Sequence, residues 1–290
     1  MEKKNGVFQK LIGAAALALL LTAAASPAKA YGELKGGILA KVARGYVPVA
    51  GVHVPAAGEE VPSGKKVVVI DPGHTALMSG KTEPVGPGAA EMKAADTLGT
   101  KGVSTGLTEY ELNLEVSQKL REELVERGYE VFLTRENHDL TLSCIERAAI
   151  ANAFKADAFL RVHANGAEAR SAHGAHTICI TPSNPYHPEL YAESRRLSEC
   201  VIDEFIKSTG AYRRDIWETD TMTGNNWSEV PVTLIELGFM TNPEEDALMA
   251  SPDYQEKMVE GMANGIDRFF AEAPEAAEPV PAETGEGGAE

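Results

Sequence analysis

The sequence predicts an α/β fold, a mostly parallel twisted sheet flanked by helices on both faces, in a single catalytic domain. Two observations predict it. Short apolar, β-branched runs that read as buried strands alternate along the chain with longer stretches of helical period. Strands and helices that alternate in this way pack as a parallel sheet between helices. A corollary is that functional groups should lie beyond the carboxyl ends of the strands.

The elements are expected in the following order. Residues 67–70 form a strand bounded by Gly64 and Pro72. Residues 109–127 form a helix whose apolar stripe is Leu112, Val116, Leu120 and Leu124, stopped by Gly128. A strand over 130–134 and a helix over 141–154 follow, the helix turning Leu142, Ile145 and Ala149 inward. Strands are expected over 158–162 and 175–181, a helix over 187–207, a strand over 232–237 and a closing helix over 253–270.

The ends read differently. Lys3, Lys4 and Lys10 precede the apolar run Leu11 to Leu21, and Ala28-Lys29-Ala30 offers a small-x-small cleavage site, so residues 1–30 read as a secretory signal peptide. Its apolar stretch is too short for a stable membrane span. Residues 31–64 are a Gly/Pro/Ala-rich spacer, 65–271 the catalytic domain, and 272–290 an acidic tail of disordered composition. The leader carries net +3, so its removal takes the charge from −16 to −19. Such acidity excludes nucleic acid as a partner, since phosphates would be repelled. Cys144, Cys179 and Cys200 are too few for a disulfide scaffold in a chain of this length.

Four short stretches carry the chemistry. Val67-Val68-Val69-Ile70-Asp71-Pro72-Gly73-His74, Gly106-Leu107-Thr108-Glu109, Phe159-Leu160-Arg161-Val162-His163-Ala164-Asn165 and Val232-Thr233-Leu234-Ile235-Glu236 each end at or near a residue able to bind or assist a zinc ion. Two histidines with a carboxylate form a hydrolytic zinc set, and a second carboxylate is a candidate base. Each residue also has an ordinary reading. His74 and His163 can be turn or edge residues, and Glu109 can complement the helix dipole. Glu236, charged within a buried run, can belong to a structural ion pair. Thr108 and Glu111 match a capping box. That role occupies Glu111, so Glu109 is the better third ligand if both histidines bind metal. Asn165 reads as a turn residue or as a support for a ligand. His173 and His176 sit near the expected site mouth without an assigned role.

Taken in order, these residues resemble the zinc-dependent N-acetylmuramoyl-L-alanine amidases of the type-3 catalytic domain family. The resemblance spans about residues 65–270. It rests on Ile70-Asp71-Pro72-Gly73-His74, on Gly106-Leu107-Thr108-Glu109 with Leu112-Asn113-Leu114, and on Leu133-Thr134-Arg135. It continues through Leu142, Arg147, Ala151-Asn152 and Val162-His163-Ala164-Asn165 to Glu236-Leu237-Gly238-Phe239-Met240-Thr241-Asn242. It implies a secreted cell-wall hydrolase that cuts the amide between N-acetylmuramic acid and the L-alanine of the peptidoglycan stem peptide. His74, Glu109 and His163 would hold Zn2+, and Glu236 would be the catalytic base. The rivals are a zinc peptidase acting on stem peptides and an inactive wall-binding module.

Two departures stand out. The stretch from Thr75 to Thr105 makes the His74–Glu109 spacing longer than in compact members. The resemblance implies a loop of the kind some longer members carry, often with a later segment like Met222-Thr223-Gly224-Asn225-Asn226-Trp227. Arg161 stands where serine is common, and it is expected to pair with Glu236, to meet a substrate carboxylate or to reach solvent.

Overall fold

The computed structural model describes residues 64–272. The expected leader, nearly all of the spacer and the acidic tail beyond residue 272 lie outside them. Eight strands are described: β1 Val67–Pro72, β2 Thr82–Pro84, β3 Met92–Ala94, β4 Glu130–Leu133, β5 Ala158–Asn165, β6 His176–Cys179, β7 Trp217–Glu218 and β8 Val232–Phe239. The α-helices are α1 Glu109–Glu126, α2 Cys144–Ala153, α3 Tyr191–Thr209, α4 Thr223–Asn226, α5 Pro243–Met249 and α6 Pro252–Ala271.

Six strands form one sheet in the order β4-β1-β5-β8-β6-β7. The first four are parallel, β6 runs antiparallel to β8, and β7 follows β6 in parallel. The β-period of two sorts the side chains. Val68 and Ile70 of β1 join a core with Leu112, Leu120, Phe205, Met262 and Ile266 from α1, α3 and α6. Val67 and Val69 point the other way, onto Leu142, Ala148 and Phe154 around α2. Helices therefore cover both faces, as expected from sequence. The second face has short helices, α2 and α4.

Helix boundaries follow local chemistry. Thr108 caps α1, and Glu111 reaches back to accept its backbone N–H at 3.0 Å, which leaves Glu109 free of that duty. The helix expected from 141 begins instead at Cys144. Ser143 is its cap and accepts from Glu146 N–H at 3.1 Å. The helix expected from 187 begins at Tyr191, because Pro188 opens a 3-10 turn before it.

The stretch from Thr75 to Thr105 holds the β2–β3 hairpin, outside the main sheet. It docks on the segment around α4. Trp227 Nε1 donates to the Pro84 carbonyl at 3.0 Å, Asn226 Nδ2 to Val85 O at 3.0 Å and Lys93 Nζ to Thr221 O at 2.7 Å. The long stretch after His74 and the segment around Trp227 are thus two sides of one contact.

Candidate metal centre

The turn after β1 is held from below by buried charge. Asp71 is fully buried and accepts from Thr134 Oγ1 at 2.6 Å, Arg147 Nη1 at 2.6 Å and Arg161 Nε at 3.1 Å. Arg147 and Arg135 also grip the next carbonyls. Arg147 donates to Pro72 O at 2.7 Å and His74 O at 3.1 Å, and Arg135 donates to Pro72 O and Gly73 O at 2.9 Å each. This clamp holds His74 at φ 60°, a left-handed conformation that costs a non-glycine residue energy. Arg161 is 4% exposed and paired with Asp71. None of its three expected fates is the one observed, because β1 and β5 pair in register and set Asp71 opposite Arg161.

His74, Glu109 and His163 come together as one cluster. His74 Nε2 lies 3.1 Å from Glu109 Oε1, His163 Nδ1 lies 3.2 Å from the same oxygen, and the two nitrogens are 3.1 Å apart. Each group is oriented from behind. His74 Nδ1 faces the Thr97 carbonyl at 2.9 Å, an arrangement that leaves Nε2 with the free lone pair. The Glu109 carboxylate accepts from Thr100 N–H at 2.8 Å and Ala164 N–H at 3.2 Å, and Asn113 Nδ2 lies 3.3 Å away. The His163 ring lies across Gly73, where an added Cβ would sit 2.4–2.6 Å from ring atoms. A Cβ on Gly99 would strike Glu109 Oε2 at 2.4 Å, and its φ of 77° also favours glycine.

The charges suit a cation. Burial works to raise the Glu109 pKa. Hydrogen bonds from His163 and His74 and their charges overcome it, holding the carboxylate well below its ordinary range. Burial lowers His163 to about 4, so its imidazole is neutral at pH 7, the form that binds metal. Its Nε2 is buried with no hydrogen-bond partner among the described residues.

Glu236 stands beside this triangle, opposite His163 in the β5–β8 pairing. Its Oε2 is likewise buried and without a hydrogen-bond partner among the described residues. Among the described residues, the structural ion pair that would have made it ordinary is not formed. Burial, reinforced by negative Glu109 and opposed by Arg161, raises its pKa well above the usual carboxylate value. The groove over these residues has a volume of about 600 Å³ and is lined also by Leu98, Gly99, Thr100 and Gly166 to Glu168.

Sequence reading missed Thr97, Gly99 and Thr100, which support the triangle from within the insertion. No periodicity marks them. The one local hint was Gly99, a glycine where nothing else required a turn.

An α/β domain with a His–Glu–His cluster and an unpaired carboxylate at its strand ends has the architecture of a metallohydrolase. Comparison narrows this class. The sequence profile of N-acetylmuramoyl-L-alanine amidases matches residues 68–268, and the chain belongs to that family, whose reaction is hydrolysis of the amide joining N-acetylmuramic acid to L-alanine in peptidoglycan. An N-acetylmuramoyl-L-alanine amidase of Mycobacterium tuberculosis is 29% identical over 219 residues, covering 71% of this chain and 86% of that protein. An uncharacterised Bacillus subtilis protein is 34% identical over 169 residues, 58% of this chain and 77% of its own length. The crystal structure of the Mycobacterium smegmatis N-acetylmuramyl-L-alanine amidase superposes with a TM-score of 0.65 at 26% identity, covering 71% of this chain and 97% of that one.

Proposed function

We propose that His74, Glu109 and His163 hold a zinc ion and that Glu236 is the general base of a secreted amidase acting in the cell wall. The observation that carries this is the triangle itself. Zinc binds nitrogen and oxygen at about 2.0–2.1 Å, so tetrahedral ligand atoms lie about 3.3 Å apart. The three candidate atoms lie 3.1–3.2 Å apart. The export reading rests on the leader-like residues 1–30, and none of the helices among the described residues is long and apolar enough to cross a membrane. The domain division, with a catalytic unit over 65–271 between a spacer and a tail, belongs to the same proposal.

When bound, zinc would supply Lewis-acid chemistry, polarising the lactyl carbonyl and making the attacking water more acidic. Glu236 takes the proton of the attacking water, and its Oε2, without a hydrogen-bond partner among the described residues, is free to accept it. It then delivers the proton to the alanine nitrogen as the carbon–nitrogen bond breaks. The support behind His74 and Glu109 keeps both donors aimed during this exchange.

The deciding experiment is mass spectrometry of products from purified peptidoglycan, with the protein stripped of metal and then resupplied with zinc. Intact stem peptides bearing a free alanine amine are expected only with zinc. Shortened stems still joined to muramic acid would make the protein a peptidase, and no product in either condition would make it a binding module.

Gly73→Ala tests the triangle without touching a ligand. Its Cβ takes the space of the His163 ring, so zinc affinity falls about 10–100-fold, the range seen when groups supporting metal ligands are altered. Titration against a competing chelator measures this. Unaltered affinity would mean that His163 is not a ligand.

A further inference from the structure

Beyond β8 the sheet edge carries residues that the hydrolytic step does not use. β6 sets His176 opposite Glu236. Residues so opposed place their side chains on one face about 5 Å apart, so His163, Glu236 and His176 form a row across three adjacent strands. His176 is 7% exposed, and its Nδ1 is buried with no hydrogen-bond partner among the described residues. Burial, then the Arg214 charge, lowers its pKa to about 4. It is therefore neutral at pH 7, with one N–H to donate.

The next segment out reaches the same edge. Arg213 bridges to Ala175, and Arg214 N–H donates to Ala175 O at 2.9 Å. Here His176, Arg214, Tyr212, Trp217 and Phe239 line a cavity of about 460 Å³. Asn165 lines both this cavity and the catalytic groove, so the two are neighbours that share it as a wall.

Arg214 is a charge without an employer. Acidic residues outnumber basic ones 43 to 27 in this chain, and neighbouring Arg213 pairs with Asp203 at 2.9 Å. Arg214 has no ion-pair partner among the described residues. Its Nη1 donates to the His173 carbonyl at 3.1 Å, and its guanidinium lies 5.2 Å from the Phe239 ring centroid. Tyr212 and Trp217 stand beside it 61% and 49% exposed, two aromatic walls with open faces.

We propose that Arg214, with His176 next to it, is a subsite for one carboxylate of the stem peptide on the leaving side of the scissile amide. The proposal rests on the amidase reading above. In that substrate the lactyl carboxyl is consumed in the amide, so the free carboxylates belong to the peptide. Distance agrees. Two strand spacings, about 10 Å, separate β8 from the chain carrying Arg214, and an extended peptide covers that in about three residues. The anchored carboxylate therefore lies on the second or third residue of the stem.

The test uses the full chain loaded with zinc and synthetic muramyl peptides that differ only in a free carboxylate or its carboxamide, at the second residue and then at the third. At one of these positions the parent enzyme prefers the carboxylate in kcat/KM by about tenfold to a hundredfold, the value of a charge-assisted hydrogen bond. Arg214→Gln loses that preference through KM, with kcat and the rate on the carboxamide little changed. Arg214→Lys, which keeps the charge, retains part of the preference and controls for a folding defect. A parent enzyme indifferent to amidation at both positions, or an Arg214→Gln variant slowed equally on both substrates, would overturn the subsite. Failure of the parent enzyme to release alanine amine from any of the peptides would instead overturn the amidase reading itself.

Discussion

Replacing Glu236 with glutamine lowers turnover by at least about a hundredfold, the usual contribution of a positioned general base, while zinc stays bound. The substitution keeps size and shape and removes only the ability to accept a proton. Glu236 makes no hydrogen bond through Oε2 among the described residues, so no structural partner is lost. Stability should therefore hold or rise, because a buried acid repelled by Glu109 is replaced by a neutral amide. Loss of activity with gain of stability is the signature of a residue placed for chemistry. Turnover, bound zinc and melting temperature are the three readouts. A variant that turns over normally would remove Glu236 from the mechanism, and one that sheds zinc would make it a ligand.

The sequence disclosed the centre of the fold and of the site for the same physical reason. β1, β5 and β8 each contain a short apolar run, and a polar residue at or just past the end of such a run falls toward the carboxyl ends of the strands, where functional groups gather. Glu109 was separated from Glu111 by the capping box, a local pattern with its own geometry. What stayed hidden was non-local or irregular. β2 and β3 have three residues each with few apolar side chains among them, so they carry no apolar signal. The reversal of β6 depends on the path of the chain after His163, which no short pattern encodes. Helix α5 did leave a trace, Asn242-Pro243 followed by acidic residues, and Asn242 accepts from Glu244 N–H at 2.9 Å as its cap. Arg161 was misread because its partner Asp71 lies 90 residues away, across a strand register that the sequence alone does not supply.

That pairing carries the largest expected effect on stability. Asp71→Asn should cost about 3–5 kcal/mol, the range for breaking a buried ion pair from one side. At about 2–4 °C per kcal/mol for a domain of this size, the melting temperature drops by roughly 6–20 °C. Asparagine fills the same space, so the loss is electrostatic. Arg147 and Arg161, 4% and 5% exposed at their side chains, are left without the carboxylate between them. The pH dependence follows from the same arrangement. Burial alone would raise the Asp71 pKa, but Arg147, Arg161 and the Thr134 hydroxyl hold it well below the ordinary value of 3.8. A depressed folded-state pKa gives stability that is fully present above 3.8 and lost as pH falls from there toward the folded value. The gap between parent and Asp71→Asn melting temperatures should therefore be constant from pH 5 to 8 and narrow below about pH 4. Because Arg147 also holds the Pro72 and His74 carbonyls, the variant should bind zinc more weakly even at temperatures where it remains folded. A gap that widened in acid would mean that the carboxylate is a liability which the arginines do not offset, and the clamp beneath His74 would have to be built from the carbonyl contacts alone.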